Sequence, residues 1–556
     1  MRNLAREMQH LIRKLGRSPS FTGITVLTLA LGIGANASIF SVVNAVLLRP
    51  LPFPEQERIY AVGHTAPGMN AEEVPNSEAS YLIYREENRV FQSFGVYRNG
   101  AENITGGQEP ERAPSLILTH DVFQVFGAVP RVGRLTGPGD DLPGAPPVTV
   151  LSHGLWQRRF GGDPDAVGRA LLVDGEAHEI IGVLPRGFGV PEEEADLYLP
   201  ARFDPAAPDE GSFNYSGVAR LKAGVTTEAV EADMERMIRL MPDRFTGMIS
   251  HAMLEQIGFA PRVLPLKEAI SGEVSQALWI LLASAGFLLL IACANVANLF
   301  LVRAEGRRRE VAVRTALGAG RGDLARHFLG ESLLLGILGG GVGFFVAWGA
   351  GEALVAFGPR ELPRLEAVGV DFGVLLFTGA LSLLAGILFG LFPLVKFCRP
   401  DLVAGLKEGA RGGSAGRDRH RARNVLVASQ LALALVLLTG SGLMLRSFAN
   451  LRKVDPGFRP QGILVLDLTL PAATYPDPES RLTFHRQLHE RLRKLPGVEK
   501  VGATSELPLS GNASASGTWF EDQPLPADQL PPVIETGASR RGSSRPWESV
   551  SWRVAF

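Results

Sequence analysis

The chain has 556 residues, 46% of them hydrophobic and 20% charged, with 56 basic against 57 acidic side chains. Two cysteines exclude a disulfide scaffold and a Cys-rich zinc array, and the near-neutral balance excludes a chain-wide nucleic-acid binder. The mean hydropathy of +0.12 is high for a soluble protein of this size, and it hides a segregation: apolar residues come in long blocks, with charge sorted by sign between them.

Five stretches lack Asp, Glu, Lys and Arg for about the ~20 residues that cross a bilayer. They are Phe21 to Leu48, Ala277 to Val302, Ser332 to Gly351, Phe372 to Val395 and Asn424 to Leu445. Backbone amides cannot stay unpaired in lipid, so the runs are expected to be helices. The first two exceed a simple crossing and are expected to project beyond it as stalks. Five such runs in one chain weigh against core helices of a large soluble protein. Ala35-Asn36-Ala37 mimics a signal-peptide cleavage site, but the apolar run continues past it to Leu48, so it reads as an uncleaved anchor.

Loop charge orients the spans. Residues 1–20 carry Arg2, Arg6, Arg13, Lys14 and Arg17 against Glu7 alone. Residues 303–331 and 396–423 are also rich in Arg and Lys, and the three basic segments are expected to be cytoplasmic. Residues 51–270 hold 32 acidic against 19 basic side chains and are expected outside, as is the acidic loop before Phe372. The expected order alternates without conflict. It runs from a cytoplasmic N-terminus to a large exterior domain (49–270), an interior loop (303–331), a short exterior loop, an interior linker (396–423) and an exterior segment (446–556).

The exterior domain reads as α+β. Val148 to Leu151 is a strand-like run, and Ala170 to Asp174 and His178 to Leu184 flank an Asp174-Gly175 hairpin signal. Thr227 to Leu240 has helical spacing in Val230, Met234, Met237 and Ile238 after an N-cap at Thr226. The fold class expected is therefore an α-helical integral membrane protein of about five transmembrane helices with a large extracytoplasmic α+β domain.

No reaction chemistry is legible. The sequence lacks a P-loop, H-E-x-x-H, Cys-x-x-Cys and G-x-S-x-G, so no catalytic, cofactor or metal residues are assigned. His153 and His178 lack partner spacing and read as structural. Glu192 to Glu194 reads as a solvated turn. Trp156, Arg158, Arg159 and Phe160 read either as a contact patch or as a turn closing a core. Within the spans, Gly336/Gly340 and Gly339/Gly343 are small-xxx-small pairs that let helices approach, and Asn295 and Asn298 read either as interhelix hydrogen-bond donors or as residues facing a cavity. No charge lies mid-membrane, which argues against an ion-coupled carrier.

The interior loop carries Arg307-Arg-Arg-Glu-Val-Ala-Val-Arg-Thr-Ala-Leu-Gly-Ala-Gly320. Glu310 precedes Arg314 by four, and Val313, Ala316 and Leu317 form an apolar stripe, so a short amphipathic helix is expected. It reads either as an anchor on anionic lipid or as a docking helix for a cytosolic partner.

This pattern resembles the MacB/FtsX-like permeases of ABC-type systems. So does the preceding Ala294-Asn-Val-Ala-Asn-Leu-Phe300. Leu29-Ala-Leu-Gly-Ile-Gly-Ala-Asn-Ala-Ser-Ile-Phe-Ser-Val-Val-Asn44, running into Leu48-Arg-Pro-Leu-Pro-Phe53, is similar to the duplicated orphan permeases of acidobacteria. Gly133-Arg134, Val148 to Phe160 and Val173 to Pro185 resemble the family's periplasmic core domain. The resemblance implies a four-span repeat unit in a bacterial inner membrane, used for export, efflux or mechanotransmission. It implies a separate cytoplasmic ABC ATPase contacted by Arg308, Arg309, Glu310, Arg314, Leu317 and Gly318. A second permease chain or a periplasmic partner is a further implied contact, and no nucleic acid is.

Residues 420–520 restart the pattern, with a basic run, a span, a strand-like Gly462 to Thr469 and a helix-like Ser480 to Leu495. Residues from about 535 are expected to lose both periods, which reads as a truncated or frame-disrupted second copy. Two rival readings stay open: an orphan binding or sensor protein without an ATPase, and, lower, a membrane-anchored hydrolase.

Overall fold

Among the described residues, five helices are long and apolar enough to cross a membrane. They belong to a computed structural model that describes residues 13, 15–16, 18–69, 71–106, 110–191, 193, 195–245, 250–306, 321–358, 364–397, 415–454, 462–470, 474–504, 515–517, 533–535 and 549–555. Span 1 is the helix Pro19–Val43, with proline in its first turn, closed by a π turn Asn44–Leu48. Spans 2, 3, 4 and 5 lie in the helices Leu266–Gly306, Arg321–Phe357, Phe372–Phe397 and Ala415–Leu451. None of the first three shows a dominant apolar face, because lipid and neighbouring helices are both apolar surroundings. The chain divides into a membrane unit (1–50 and 271–454) and a sheet unit (51–270 and 455–556).

Within the membrane unit, spans 1 to 4 share a core of Leu29, Ile33, Leu289, Val296, Leu335, Ala385 and Phe389. Phe40 of span 1 stacks on Phe377 of span 4, with ring centroids 3.9 Å apart. The apolar window of span 5 has no buried residue.

The sheet unit is built on one eleven-stranded mixed sheet. Its strands are β1 (Ile59–Ala66), β2 (Ala71–Val74), β3 (Phe91–Thr105), β4 (Glu111–Leu118), β5 (Val132–Gly133), β6 (Val148–Leu151), β7 (Ala170–Val173), β8 (Glu176–Val183), β9 (Leu197–Pro200), β10 (Ser216–Leu221) and β11 (Ala260–Pro265). The order is β11-β1-β10-β3-β4-β9-β6-β8-β5, with β2 on β1 and β7 on β3 and β8. The β4–β9 and β6–β8 pairs are parallel and the rest antiparallel.

Both faces of the first half of the sheet are covered. In β1, Ile59 and Ala61 join one core cluster while Tyr60 and Val62 join the other, as the period of two requires. The helices Glu78–Glu87 and Thr227–Arg244 cover one face, burying Tyr81, Tyr84, Val230, Met234, Met237 and Ile238. The helix Asp121–Phe126 covers the other with Val122, Phe123, Val125 and Phe126. A third cluster packs Trp156 of the helix His153–Phe160 against β6 to β9.

Local chemistry accounts for several ends. Thr226 accepts from Ala229 N–H at the start of its helix. The β7–β8 hairpin turns through Asp174 and Gly175, both at positive φ (47° and 84°), as its two-residue turn requires.

In residues 455–556, β12 (Ile463–Thr469), β13 (Lys500–Thr504) and β14 (Ser549–Ala555) form an antiparallel sheet with β14 in the middle, beside the helix Pro478–Arg493. A two-residue-period segment therefore exists beyond residue 535, contrary to expectation. Val550, Trp552 and Val554 alternate with Ser549, Ser551 and Arg553, a pattern too short to stand out beside the polar run before it.

Candidate functional site

Three sets of contacts tie the spans together, at the middle and at each end of the membrane unit. In the middle, span 3 presents glycine on two adjacent faces. A Cβ on Gly336 would sit 2.5 Å from the Ser382 carbonyl oxygen, and one on Gly340 would overlap the Ser382 side chain, so this face meets span 4. A Cβ on Gly339 would sit 2.7 Å from Leu29 Cβ, and one on Gly343 would sit 3.0 Å from Gly34 N, so this face meets span 1. Span 4 answers with its own pair. Gly386 approaches Leu333 and the Ser332 carbonyl, and Gly390 abuts the Ser332 side chain.

Asn295 is exposed and Asn298 half-buried, and neither makes an interhelix hydrogen bond among the described residues. The donor that does so is Asn36 of span 1. Its Nδ2 donates to the Ala285 carbonyl of span 2 at 2.7 Å and to the Gly32 carbonyl at 2.9 Å. The reason is rotational position: Asn36 is 3% exposed on the packed side of its helix, whereas Asn295 lies on the open side of span 2. Composition alone does not separate the two. The Gly386/Gly390 pair is not among the pairs singled out from the sequence, although its small-xxx-small spacing is a signal that could have found it.

At the end assigned to the exterior by loop charge, the segment before span 4 is laced to the end of span 1. Ser41 Oγ donates to the Gly369 carbonyl (3.1 Å) and Asn44 Nδ2 to Asp371 Oδ2 (2.8 Å). Arg364 donates to the carbonyls of Arg49 and Pro50 (3.0 and 3.1 Å). These bonds gather at the π turn Asn44–Leu48, a wound-open geometry often found at functional positions.

At the opposite end, Arg303 of span 2 lies 3.3 Å from Glu331 of span 3 and donates to Ser18 Oγ at 2.6 Å. The proposed contact residues Arg308, Arg309, Glu310, Arg314, Leu317 and Gly318 lie between Arg303 and Glu331 in sequence, outside the described residues.

Two cavities of the sheet unit are lined by ionisable side chains. One, of about 250 Å³, is lined by Tyr81, Arg85, Asp141, Leu142 and Phe203. Behind it, Tyr81 OH donates to Asp121 Oδ2 (2.9 Å), and Asp141 Oδ2 lies 2.8 Å from His120 Nδ1. Burial pushes the Asp121 carboxyl up. The other, of about 500 Å³, is lined by Glu102, Asp174, Glu176 and His178. Burial, reinforced by the neighbouring Asp174, pushes Glu102 up to about 7. Asp174 itself is held by Asn103, whose backbone N–H and Nδ2 both donate to its Oδ1.

His64 is fully buried beside Tyr84, with Nε2 2.6 Å from the phenol oxygen and Nδ1 3.1 Å from the Pro75 carbonyl. Burial pushes it down to about 4. A neutral ring fits: Nδ1–H donates to Pro75 and Nε2 accepts from Tyr84.

Several of the remaining sequence candidates of this unit make packing or pairing contacts. Trp156 is buried and its Nε1 donates to the Asp163 carbonyl, while Arg158 pairs with Glu111 and Asp196. His153 packs edge-on to Trp156. Glu193 is described and half-buried, and Glu192 and Glu194 lie outside the described residues. No group of three or more His, Cys, Asp or Glu is arranged to hold a metal ion among the described residues.

Two family models match in tandem. The MacB-like periplasmic core domain matches residues 22–237, and the FtsX-like permease C-terminal domain matches residues 282–402. The pyoverdine export ATP-binding/permease protein PvdT of Pseudomonas savastanoi pv. phaseolicola is 27% identical over 48% of this chain and 38% of its own length. The macrolide export ATP-binding/permease protein MacB of Rhodopseudomonas palustris is 26% identical over 67% of this chain and 55% of its own. The uncharacterized ABC transporter permease YknZ of Bacillus subtilis is 29% identical over 47% and 61%. The chain thus spans between 38% and 61% of the length of these relatives. Among solved structures, the periplasmic region of MacB from Actinobacillus actinomycetemcomitans covers 39% of this chain and 92% of its own, at 14% identity and a TM-score of 0.29.

Proposed function

We propose, from its membership of the MacB/FtsX-like permeases, that this chain is the transmembrane permease subunit of an ABC-type system. In this reading a separate cytoplasmic ATPase works on the 307–320 segment, and the helices carry the motion to the extracytoplasmic domain. The N-terminus and the basic loops lie in the cytoplasm of a bacterial inner membrane. The observation that carries the reading is the tandem order of the two domain matches, the second of which contains the whole 307–320 segment.

The packing supports a mechanical role. Span 1 touches span 2 through Asn36, span 3 through Gly34 and span 4 through Phe40. Close-packed interiors transmit displacement because they do not deform continuously. A shift of spans 2 and 3 at their cytoplasmic ends therefore reaches the chain that enters the exterior domain. Export of a small molecule, as the names of two relatives state for those proteins, is one use of that motion. Activation of a periplasmic partner is another.

The orphan-binder reading draws on the 500 Å³ cavity beside Glu102 and Asp174. Co-purification of the tagged chain from native membranes separates the two. Recovery of an ATPase, lost on Glu310→Arg or Arg314→Glu, supports the permease. Well-folded, inserted protein that brings down no ATPase overturns it in favour of the binder.

A further inference from the structure

Arg303 and Glu331 stand on either side of residues 307–320 in sequence, yet their charges meet. Glu331 is 1% exposed, and the Arg303 side chain is 15% exposed. Arg303 Nη1 lies 3.3 Å from Glu331 Oε1. The same guanidinium donates through Nη2 to Ser18 Oγ, at 2.6 Å, and lies 4.3 Å over the ring of Phe21. Phe21 in turn meets Phe300 edge-on, and Phe300 packs on Phe389 of span 4. One cation thus joins the end of span 2, the beginning of span 3 and the beginning of span 1.

Stability does not account for this arrangement. Removing two charges from water costs about as much as their attraction returns, so a buried pair gives little net stabilisation over apolar packing. Its best-attested use is to fix register or to hold a switch. A planar guanidinium suits three simultaneous contacts, with an ion pair, a hydroxyl acceptor and an aromatic face, in a way an ammonium does not.

We propose that Arg303 and Glu331 are positioning residues. They clamp the two helices that flank the 307–320 segment to the start of span 1, so that a push on the segment moves spans 1, 2 and 3 as one body. The purpose of the clamp rests on the ATPase-docking reading of that segment; its existence does not.

The test uses the full chain in lipid nanodiscs, freed of its two native cysteines and spin-labelled at Val302→Cys and Gly322→Cys. Val302 is exposed, and a Cβ at Gly322 meets open space. The wild-type pair gives one narrow distance distribution. Glu331→Gln and Arg303→Gln each broaden it, and the charge-reversed double variant Arg303→Glu with Glu331→Arg narrows it again. ATP turnover by the recovered ATPase falls at least about fivefold in each single variant. A general loss of packing would instead lower the melting temperature without recovery on reversal.

Should Glu331→Gln fail to insert, Ser18→Ala reads the same distances, since it removes only the acceptor of Arg303 Nη2. An unchanged distribution in Glu331→Gln overturns the clamp, whether or not an ATPase is recovered. A distribution that broadens and is restored, beside a wild-type chain that brings down no ATPase, upholds the clamp and removes the docking reading instead.

Discussion

The carboxamide of Asn36 donates to the Ala285 carbonyl oxygen at 2.7 Å, across the seam between the first two spans and 249 residues along the chain. Its second bond, to Gly32 one turn back in its own helix, fixes the side-chain rotamer that makes the long-range bond. An interhelix hydrogen bond in a membrane protein contributes about 0.6–2 kcal/mol. Asn36→Leu is therefore expected to lower unfolding stability in detergent by that amount, and Asn295→Leu to leave it unchanged. Equal losses at the two positions would contradict the assignment.

The two glycine faces of span 3 are expected to fail separately. A side chain at Gly340 overlaps Ser382 and pushes span 4 away, whereas one at Gly343 meets Ala30 O and Gly34 N of span 1, both at 3.0 Å. Overpacking of this kind costs about 1–3 kcal/mol. Disulfide trapping between cysteines on spans 3 and 4 should weaken in Gly340→Leu, and trapping between spans 1 and 3 should weaken in Gly343→Leu. Gly341 faces open space, and Gly341→Leu should weaken neither. Loss of both cross-links in every variant would mean general unfolding rather than seam-specific packing.

His64 makes the sheet unit sensitive to acid. Its folded value of about 4 lies below the unfolded 6.5, so between those values the unfolded chain binds the extra proton. Stability is full above pH 6.5 and is lost as pH falls toward 4, by up to about 3 kcal/mol. Hydrogen exchange of β1, measured in the full chain, should lose protection across that window. Protection that does not vary there would show that the ring is not held neutral.

Glu102 works in the opposite direction. Its value is raised from 4.5 to about 7 by burial and by Asp174, against weaker opposition from Ser115 and Arg98. The folded state holds a proton that the unfolded state has released, so stability falls as pH rises from 4.5 through 7. Glu102→Gln should stabilise the β7–β8 hairpin at pH 8 by about 1 kcal/mol, after allowance for solvent screening of a half-buried group. The gain should vanish near pH 4. A variant equal to wild type at pH 8 would refute the raised Glu102 value.

Elements set by local pattern were legible in the sequence. The helix Thr227–Arg244 follows from apolar residues at helical spacing after a Thr cap, and the β7–β8 hairpin from Asp174-Gly175 between strand-like runs. The spanning helices follow from length and absence of charge, since lipid leaves the backbone no other way to satisfy its amides. The parallel β4–β9 and β6–β8 pairs were not legible, because pairing depends on residues far apart in sequence. Nor was the short strand Ser549–Ala555, which takes its place between two partners more than forty residues upstream.

The candidate site divides in the same way. Gly336, Gly339, Gly340 and Gly343 were visible as spaced small residues, but which pair meets span 4 and which meets span 1 depends on helix rotation. Asn295 and Asn36 have the same side chain on two apolar helices, and burial separates them.

By itself, the sequence determined the number of hydrophobic segments, the sign of charge in each loop and the presence of a mixed domain, because periodicity and charge act over neighbouring residues. Tertiary structure alone decided that Arg303 would lie over Phe21, 282 positions earlier in the numbering, and within reach of Ser18. Such contacts form where packed helices bring distant residues to one depth and one face, and no local pattern records which distant partner will be there.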